Sequence, residues 1–286
     1  MNVSYLIYLV AALLVLAAVF LVRKQFAAGI FHGIPSVFRI AGMTFAETRR
    51  RRILQAIIFL AGLMLIGMLG MTWLAPGEGE KALISGGLDL VFMLGTLMAI
   101  FICAFLIPTD IDKRTIYSVL SKPVNRWEYV VGKYFGTLAV IGLLVAVMLI
   151  VQMIVLFAAQ RYPTWRVLEA GLIAYFGIAV FTSAVLAVST VASSLTTVLA
   201  GVVLWTIGSL QAMSHSIIAH TEGASQVMLV AVSAIVPHLN KYDFRVEAAE
   251  NMVIPLAVLE RSLLHGLGYI AVSLIIASLL FNDRQV

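Results

Sequence analysis

Fifty-two consecutive residues, 170–221, contain no Asp, Glu, Lys or Arg. A bilayer crossing takes about 20 apolar residues, so this window predicts two membrane-crossing helices with a tight turn between them. Ser193, Ser194, Thr196 and Thr197 place the turn, because their hydroxyls favour local backbone bonds outside helices. Five further charge-free windows, 1–22, 53–77, 90–109, 134–160 and 262–282, each predict one crossing, which brings the count to seven. Backbone facing lipid must close its hydrogen bonds within a helix or a barrel. These unbroken runs lack the alternation of barrel strands. The expected fold class is therefore an all-α membrane protein, a polytopic bundle of about seven transmembrane helices. Composition agrees: 62% of residues are hydrophobic and 12% charged, with a mean hydropathy of +1.05. A soluble globule and a disordered chain are both excluded.

All seven prolines fall between the charge-free cores or at their edges, and they are expected to mark helix ends, since proline lacks an amide hydrogen and clashes with the preceding turn. Orientation follows from the basic residues. With the N-terminus outside, the inner segments hold 13 of the 19 Lys and Arg and the outer ones 6. The positive-inside bias thus predicts N-out, C-in, in a multi-pass protein of the inner or plasma membrane. Arg23 and Lys24 follow the first apolar run, whereas a signal peptide carries its charge ahead of that run. Residues 1–22 read as an anchor helix, 23–52 as a cytoplasmic connecting segment and 53–286 as the main transmembrane domain.

Within 36–52, Val37, Phe38, Ile40, Ala41 and Phe45 share one side of a helix, and Arg39, Glu47, Arg49 and Arg50 lie largely opposite. This predicts an amphipathic helix on the bilayer surface, with Arg39, Arg49, Arg50, Arg51 and Arg52 near anionic headgroups. The alternative is a plain connector with a stop-transfer cluster. The outer stretch 214–261 contains a short apolar run, Val227–Val236, expected to dip into the membrane without crossing it.

The chain carries no enzyme signature. GxxxxGK[ST], HExxH and GxSxG are absent. Cys103 is single and is expected to act as a packing residue. His215, His220 and His238 sit in the outer stretch without metal-ligand spacing, so no metal site is expected. The middles of the spans hold no charge, which argues against a proton-coupled pump built from this chain alone. Gln152, Ser183, Ser189 and Thr190 are expected to bond between or within helices. The net charge of +5 is accounted for by topology and implies no nucleic acid.

The informative connection is 108–133. It has an acidic start (Asp110, Asp112), then Thr115, an apolar pattern at Ile116, Val119 and Leu120, a break at Ser121, Lys122 and Pro123, then Arg126 and Gly132-Lys133. A short helix with an apolar edge suits docking in a partner's groove; a solvated loop is the alternative. Gly132 and Gly136 form a small-xxx-small pair that lets helices approach closely.

This stretch resembles the integral membrane subunits of ABC transporters of the ABC-2 class, and most closely the NosY-like permeases of multicopper-enzyme maturation. The resemblance rests on Asp112, Thr115, Leu120-Ser121-Lys122-Pro123, Arg126 and Gly132-Lys133. The basic segment before the second span is similar to the class's connecting helix, and the outer segment before the last span to its re-entrant helices. The class commonly has six spans with both ends inside, so the first helix here is an addition. The resemblance implies a non-catalytic permease subunit that binds no cofactor itself. ATP and Mg would sit on a separate ABC ATPase subunit, present in two copies, which pushes on the loop around Asp110, Asp112, Thr115, Leu120, Ser121, Pro123 and Arg126. It also implies a second permease chain, in a homo- or heterodimer, exporting an unidentified substrate. The alternative is a membrane scaffold that transmits force to an extracytoplasmic partner without moving substrate.

Overall fold

The computed structural model describes residues 30–50, 52–68, 79–112, 125–158, 165–219 and 236–283. The described residues are helical and contain no strand. In chain order the α-helices are α1 (Ile30–Arg49), α2 (Arg52–Gly67), α3 (Gly79–Asp112), α4 (Arg126–Ala158), α5 (Trp165–Ser189), α6 (Ser194–Ala219), α7 (Arg245–Ala249) and α8 (Leu256–Asp283). A 3-10 turn, Leu239–Tyr242, precedes α7. The predicted first span lies outside the described residues.

Among the described residues, four helices are long and apolar enough to cross a membrane: α3, α4, α5 and α8. The described apolar part of α6, Ser194–Leu210, is shorter, as is α2. The turn within 170–221 occupies residues 190–193, slightly ahead of the expected cluster. Ser193 caps α6: its Oγ accepts from the Thr196 amide at 3.4 Å, and its carbonyl accepts from the Thr197 hydroxyl at 2.9 Å.

The long helices overrun their charge-free windows. Asp89 and Asp110 both belong to α3, and Glu128 and Lys133 to α4. The windows mark the hydrocarbon, and helix continues into the headgroup zone. Two prolines correct the expectation that each marks a helix end. Pro108 lies inside α3 and Pro35 inside α1. At Pro108 the lost backbone bond is outweighed by packing, since Ala104, Leu106 and Ile107 beside it are all buried.

The core centres on α5, which packs against α3, α4, α6, α8, the 3-10 turn and α7. Its α4-facing side is fixed by Tyr175, which donates to the Leu138 carbonyl at 2.9 Å. Tyr134 on α4 donates back to the Ala179 carbonyl at 3.1 Å. Cys103 is wholly buried in this core and free of disulfide. Ser183, Ser189 and Thr190 bond back to carbonyls three residues earlier in their own chain. Gln152 instead bridges helices, donating to the Ile84 carbonyl at 3.1 Å.

Candidate functional site

Two layers of charge bracket the bundle. At the basic end, the Lys133 ammonium lies 2.7 Å from Asp110, and the Tyr129 hydroxyl donates to the same carboxylate oxygen at 2.6 Å. At the far end, Arg245 pairs with Asp89 and, at 2.8 Å, with Asp243. Asp89 and Asp110 are both on α3, twenty-one residues apart, which at 1.5 Å per residue is about 31 Å. That matches a hydrocarbon core of about 30 Å. Burial works against the Arg245 charge, but Asp243 and Asp89 outweigh it and raise its pKa.

The basic-end site is built on the first two turns of α4. Asn125 starts the helix: its carbonyl accepts from the amides of Glu128 and Tyr129, and its side-chain amide donates to Glu128 at 2.6 Å. Arg126, Tyr129 and Lys133 follow at helical spacing on one side. Arg126 donates to the Phe281 carbonyl at 3.4 Å, satisfying a last-turn acceptor of α8. Tyr129 stacks on the Phe281 ring with centroids 5.5 Å apart, and Lys133 lies over the Tyr129 ring. The two helix ends that flank the loop are therefore tied to each other through Asp110 and to α8 through Arg126 and Tyr129.

The same turns of α4 receive α1. A Cβ added at Gly132 would stand 2.7 Å from Ile40 Cβ and 3.1 Å from the Val37 carbonyl. At Gly136 it would stand 2.6 Å from Thr44 Cβ and 2.8 Å from the Ala41 carbonyl. Only glycine permits so close an approach. Val37, Ile40, Thr44 and Thr48 form the buried stripe of α1. This revises the expected apolar face. Phe38 is 72% exposed, while Thr44 and Thr48 turn inward, because close backbone contact with α4 selects small side chains. Arg39, Arg49 and Arg50 are exposed, with Arg49 over the Phe45 ring.

Of the residues expected to couple, the structure brings Asp110 and Arg126 into this joint and sets Gly132 and Gly136 against α1. Asp112 ends α3. Thr115, Leu120, Ser121, Pro123 and Arg51 lie outside the described residues, as does the side chain of Arg52. Tyr129 and Lys133 carry more of the joint than the sequence reading assigned them. Their three- and seven-residue spacing from Arg126 was the available signal.

A second polar group lies nearer the far end. The segment 236–249 tucks inward, with Tyr242 Cβ against Gly177 at the midpoint of α5, and the Pro237 carbonyl against Gly208 of α6. Asn251, at φ 56°, ends α7 in a left-handed turn, with the Met252 amide bonded to the Glu247 carbonyl at 2.8 Å. His238 and His265 meet edge to face with centroids 5.7 Å apart. Among the described residues, no group of three or more His, Cys, Asp or Glu forms a metal site.

The model of the ABC-2 family transporter protein matches residues 41–286. The chain belongs to the ABC-2 transporter family. Among curated proteins, no sequence matches. The family match begins inside α1, so it takes in both the basic-end joint and the far polar group. As an ABC-2 protein with four long apolar helices, the chain is a multi-pass membrane transporter subunit.

Proposed function

We propose that the chain is the permease subunit of an ABC exporter, driven by a separate ATPase that docks on the connection between α3 and α4. The observation that carries this reading is the joint of Asp110, Tyr129, Lys133 and Arg126. A push on the connection meets two helix ends clamped together, not two independent ones. Through Phe281 it reaches α8, and through Gly132 and Gly136 it reaches α1. Force at one loop thereby becomes a concerted tilt of packed helices, the kind of rigid-element motion that alternating access requires.

In this reading the basic end is cytoplasmic, and two permease chains face two ATPase chains. Asp112, Thr115, Leu120, Ser121 and Pro123 shape the loop that the ATPase grips, and Arg39, Arg49, Arg50, Arg51 and Arg52 hold the connecting helix at the anionic inner surface. ATP and Mg belong to the ATPase, and the permease contributes no catalytic group. The NosY-like resemblance makes maturation of an extracytoplasmic enzyme one candidate role.

The test is purification of the native complex and measurement of its ATP turnover. An ATPase should co-purify, and Arg126→Ala should leave the complex assembled while lowering substrate-stimulated turnover. A native assembly without any nucleotide-hydrolysing chain would sink the proposal. ATP turnover that moves no substrate would instead favour the scaffold reading, in which the helices pass force to an outer partner.

A further inference from the structure

The corner between α1 and α2 lies deeper than a surface helix would. Ile40 sits against Gly132 and Thr44 against Gly136, so α1 and α4 run side by side in the same direction. Arg49, nine residues beyond Ile40, therefore comes level with Ile141 of α4, eight residues inward of Lys133. At 1.5 Å per residue that is about 12 Å, and still about 9 Å at the roughly 40° crossing of small-residue contacts. The path through α2 agrees. Met68 packs on Gly86 of α3, which stands twenty-four residues, about 36 Å, from Asp110. Arg52 is sixteen residues before Met68, so α2 returns at most about 24 Å of that distance.

Around the rest of the bundle, apolar surface continues down to the basic-end joint. Phe135, two residues inward of Lys133, is exposed, Leu279 and Leu280 are exposed beside Phe281, and Leu195 is exposed in the first turn of α6. The joint therefore marks the edge of the hydrocarbon, and Arg49 and Arg50 stand about 10 Å inside it. The helix that carries them is immersed as well, since its outward side bears Phe38 and Met43, both exposed.

Arg49 and Arg50 both face outward. Arg49 lies over the Phe45 ring at 5.8 Å, and the ion pairs of the described residues are made elsewhere, by Lys133, Arg166 and Arg245. Glu47 shares their turn, and its carbonyl accepts from the Arg50 amide at 3.2 Å. Two cations thus stand against one carboxylate, and in sequence Arg51 and Arg52 add two more. An arginine in hydrocarbon is costly unless it snorkels or the bilayer thins to bring phosphate and water to it. Its planar fork fits a phosphate with two parallel bonds, and it sheds water more readily than an ammonium. A lipid headgroup is the acceptor at hand.

We propose that Arg49 and Arg50 bind the phosphate of an anionic phospholipid drawn below the headgroup plane of its leaflet, so that the bilayer is locally thinned at the corner between α1 and α2. This deepens the anchoring role given to these arginines, and it rests on the assignment of the basic end to the inner leaflet. Lipid retention by the chain alone involves no ATPase. Its failure would leave the coupling joint untouched, and an assembly without an ATPase would leave this site standing.

The full-length chain is reconstituted in phosphatidylcholine nanodiscs with and without phosphatidylglycerol, and the phosphatidylglycerol it retains on release is counted by native mass spectrometry. The wild type should retain it, and Arg49→Gln with Arg50→Gln should weaken retention about tenfold. Arg49→Lys with Arg50→Lys should restore part of it, because a point charge then replaces the fork. Arg261→Gln, which removes an exposed cation of α8, should leave it unchanged. Depth is read in vesicles of phosphatidylcholine brominated at successive acyl positions, from the quenching of a fluorophore on Phe135→Cys or on Ala56→Cys, four residues past Arg52. Native Cys103 is wholly buried and escapes the label. The Phe135 position should be quenched near the headgroups and the Ala56 position near the bilayer centre. If the Phe135 position is unquenched and the Ala56 position is quenched only near the headgroups, the joint stands in water, the arginines lie at an ordinary surface and the proposal is overturned. Retention that ignores both arginines in variants that melt like the wild type would overturn it equally, the guanidiniums then reaching water by snorkelling alone.

Discussion

The two polar sites of this bundle differ in how deeply their ion pairs are buried. At the basic end, Asp110 takes Lys133 and Tyr129, Arg126 takes a helix-end carbonyl, and Tyr129 stacks on Phe281, while Glu128 keeps one buried carboxylate oxygen without a partner among the described residues. At the far end, Tyr242 and His265 keep buried polar atoms without partners among the described residues. Helix burial follows the same contrast. The apolar window of α5 is 72% buried, whereas that of α8, which faces the far cluster, is 17% buried. The molecule holds its buried ion pair at one end of the bundle and its exposed one at the other.

The comparison breaks most visibly at Asp110. Lys133 is 7% exposed there and Asp110 18%. Asp110→Asn leaves a nearly buried ammonium without its counter-charge, and removing one partner of such a pair costs about 3–5 kcal/mol. The melting temperature in detergent should fall sharply, with ATP turnover uncoupled in the assembled complex. Adding Lys133→Met should recover most of the stability, because the stranded charge is then gone. A single variant that melts like the wild type would show that the joint is not the rigid element described.

Next in size is Gly136→Ala. The new methyl would meet the Ala41 backbone oxygen at 2.8 Å, and backbone cannot yield as a flexible side chain does. A cost of about 1–3 kcal/mol is expected, with α1 displaced from α4. Cross-linking between cysteines placed at Ala41 and Thr137 would report the displacement. Undiminished cross-linking together with an unchanged melt would remove α1 from the path of force.

The fold was largely legible in the sequence, and the reason is physical. Charge is so costly in hydrocarbon that its absence marks each span, which is why the window 90–109 lies within α3 and the window 134–160 follows α4 up to Ala158. What the windows could not show was how far helix continues beyond lipid. Asp89, Asp110 and Lys133 sit in those extensions, and their pairing joins residues distant in sequence. Pro108 misled for a related reason, since a local breaker was overruled by packing that no local pattern encodes. The glycine pair Gly132 and Gly136 was readable because its signal is local. Its partner was not, since two threonines on α1 do not look apolar. The far contact left no trace at all: His238 and His265 are twenty-seven residues apart, and only the inward fold of 236–249 joins them.

Lys241→Met sharpens the comparison because its sign is opposite. Removing an unpartnered cation of a partly buried turn should leave the stability of the chain at or slightly above that of the wild type, by about 1 kcal/mol at most. The pH response follows from the direction of its pKa. Burial holds the folded value below the ordinary 10.5. Between the folded and unfolded values the unfolded chain binds the extra proton, so stability should rise with pH as the solution approaches 10.5. That rise should vanish in Lys241→Met. A fall in stability on substitution would mean that the ammonium has a complement already, and the contrast between the two ends would fail.

The smallest effect is expected at Arg245, and it tests whether the far end is loose in general or only at the cluster. Arg245 is 37% exposed and its partner Asp89 57%, so water and salt screen the pair. Exposed ion pairs contribute about 0–1 kcal/mol, so Arg245→Gln should shift the melt little at low ionic strength and not at all in high salt. Asp110→Asn, by contrast, should be almost insensitive to salt, because that pair is buried. If both variants respond to salt alike, the basic-end joint is as wet as the far rim, and burial cannot be what makes it rigid.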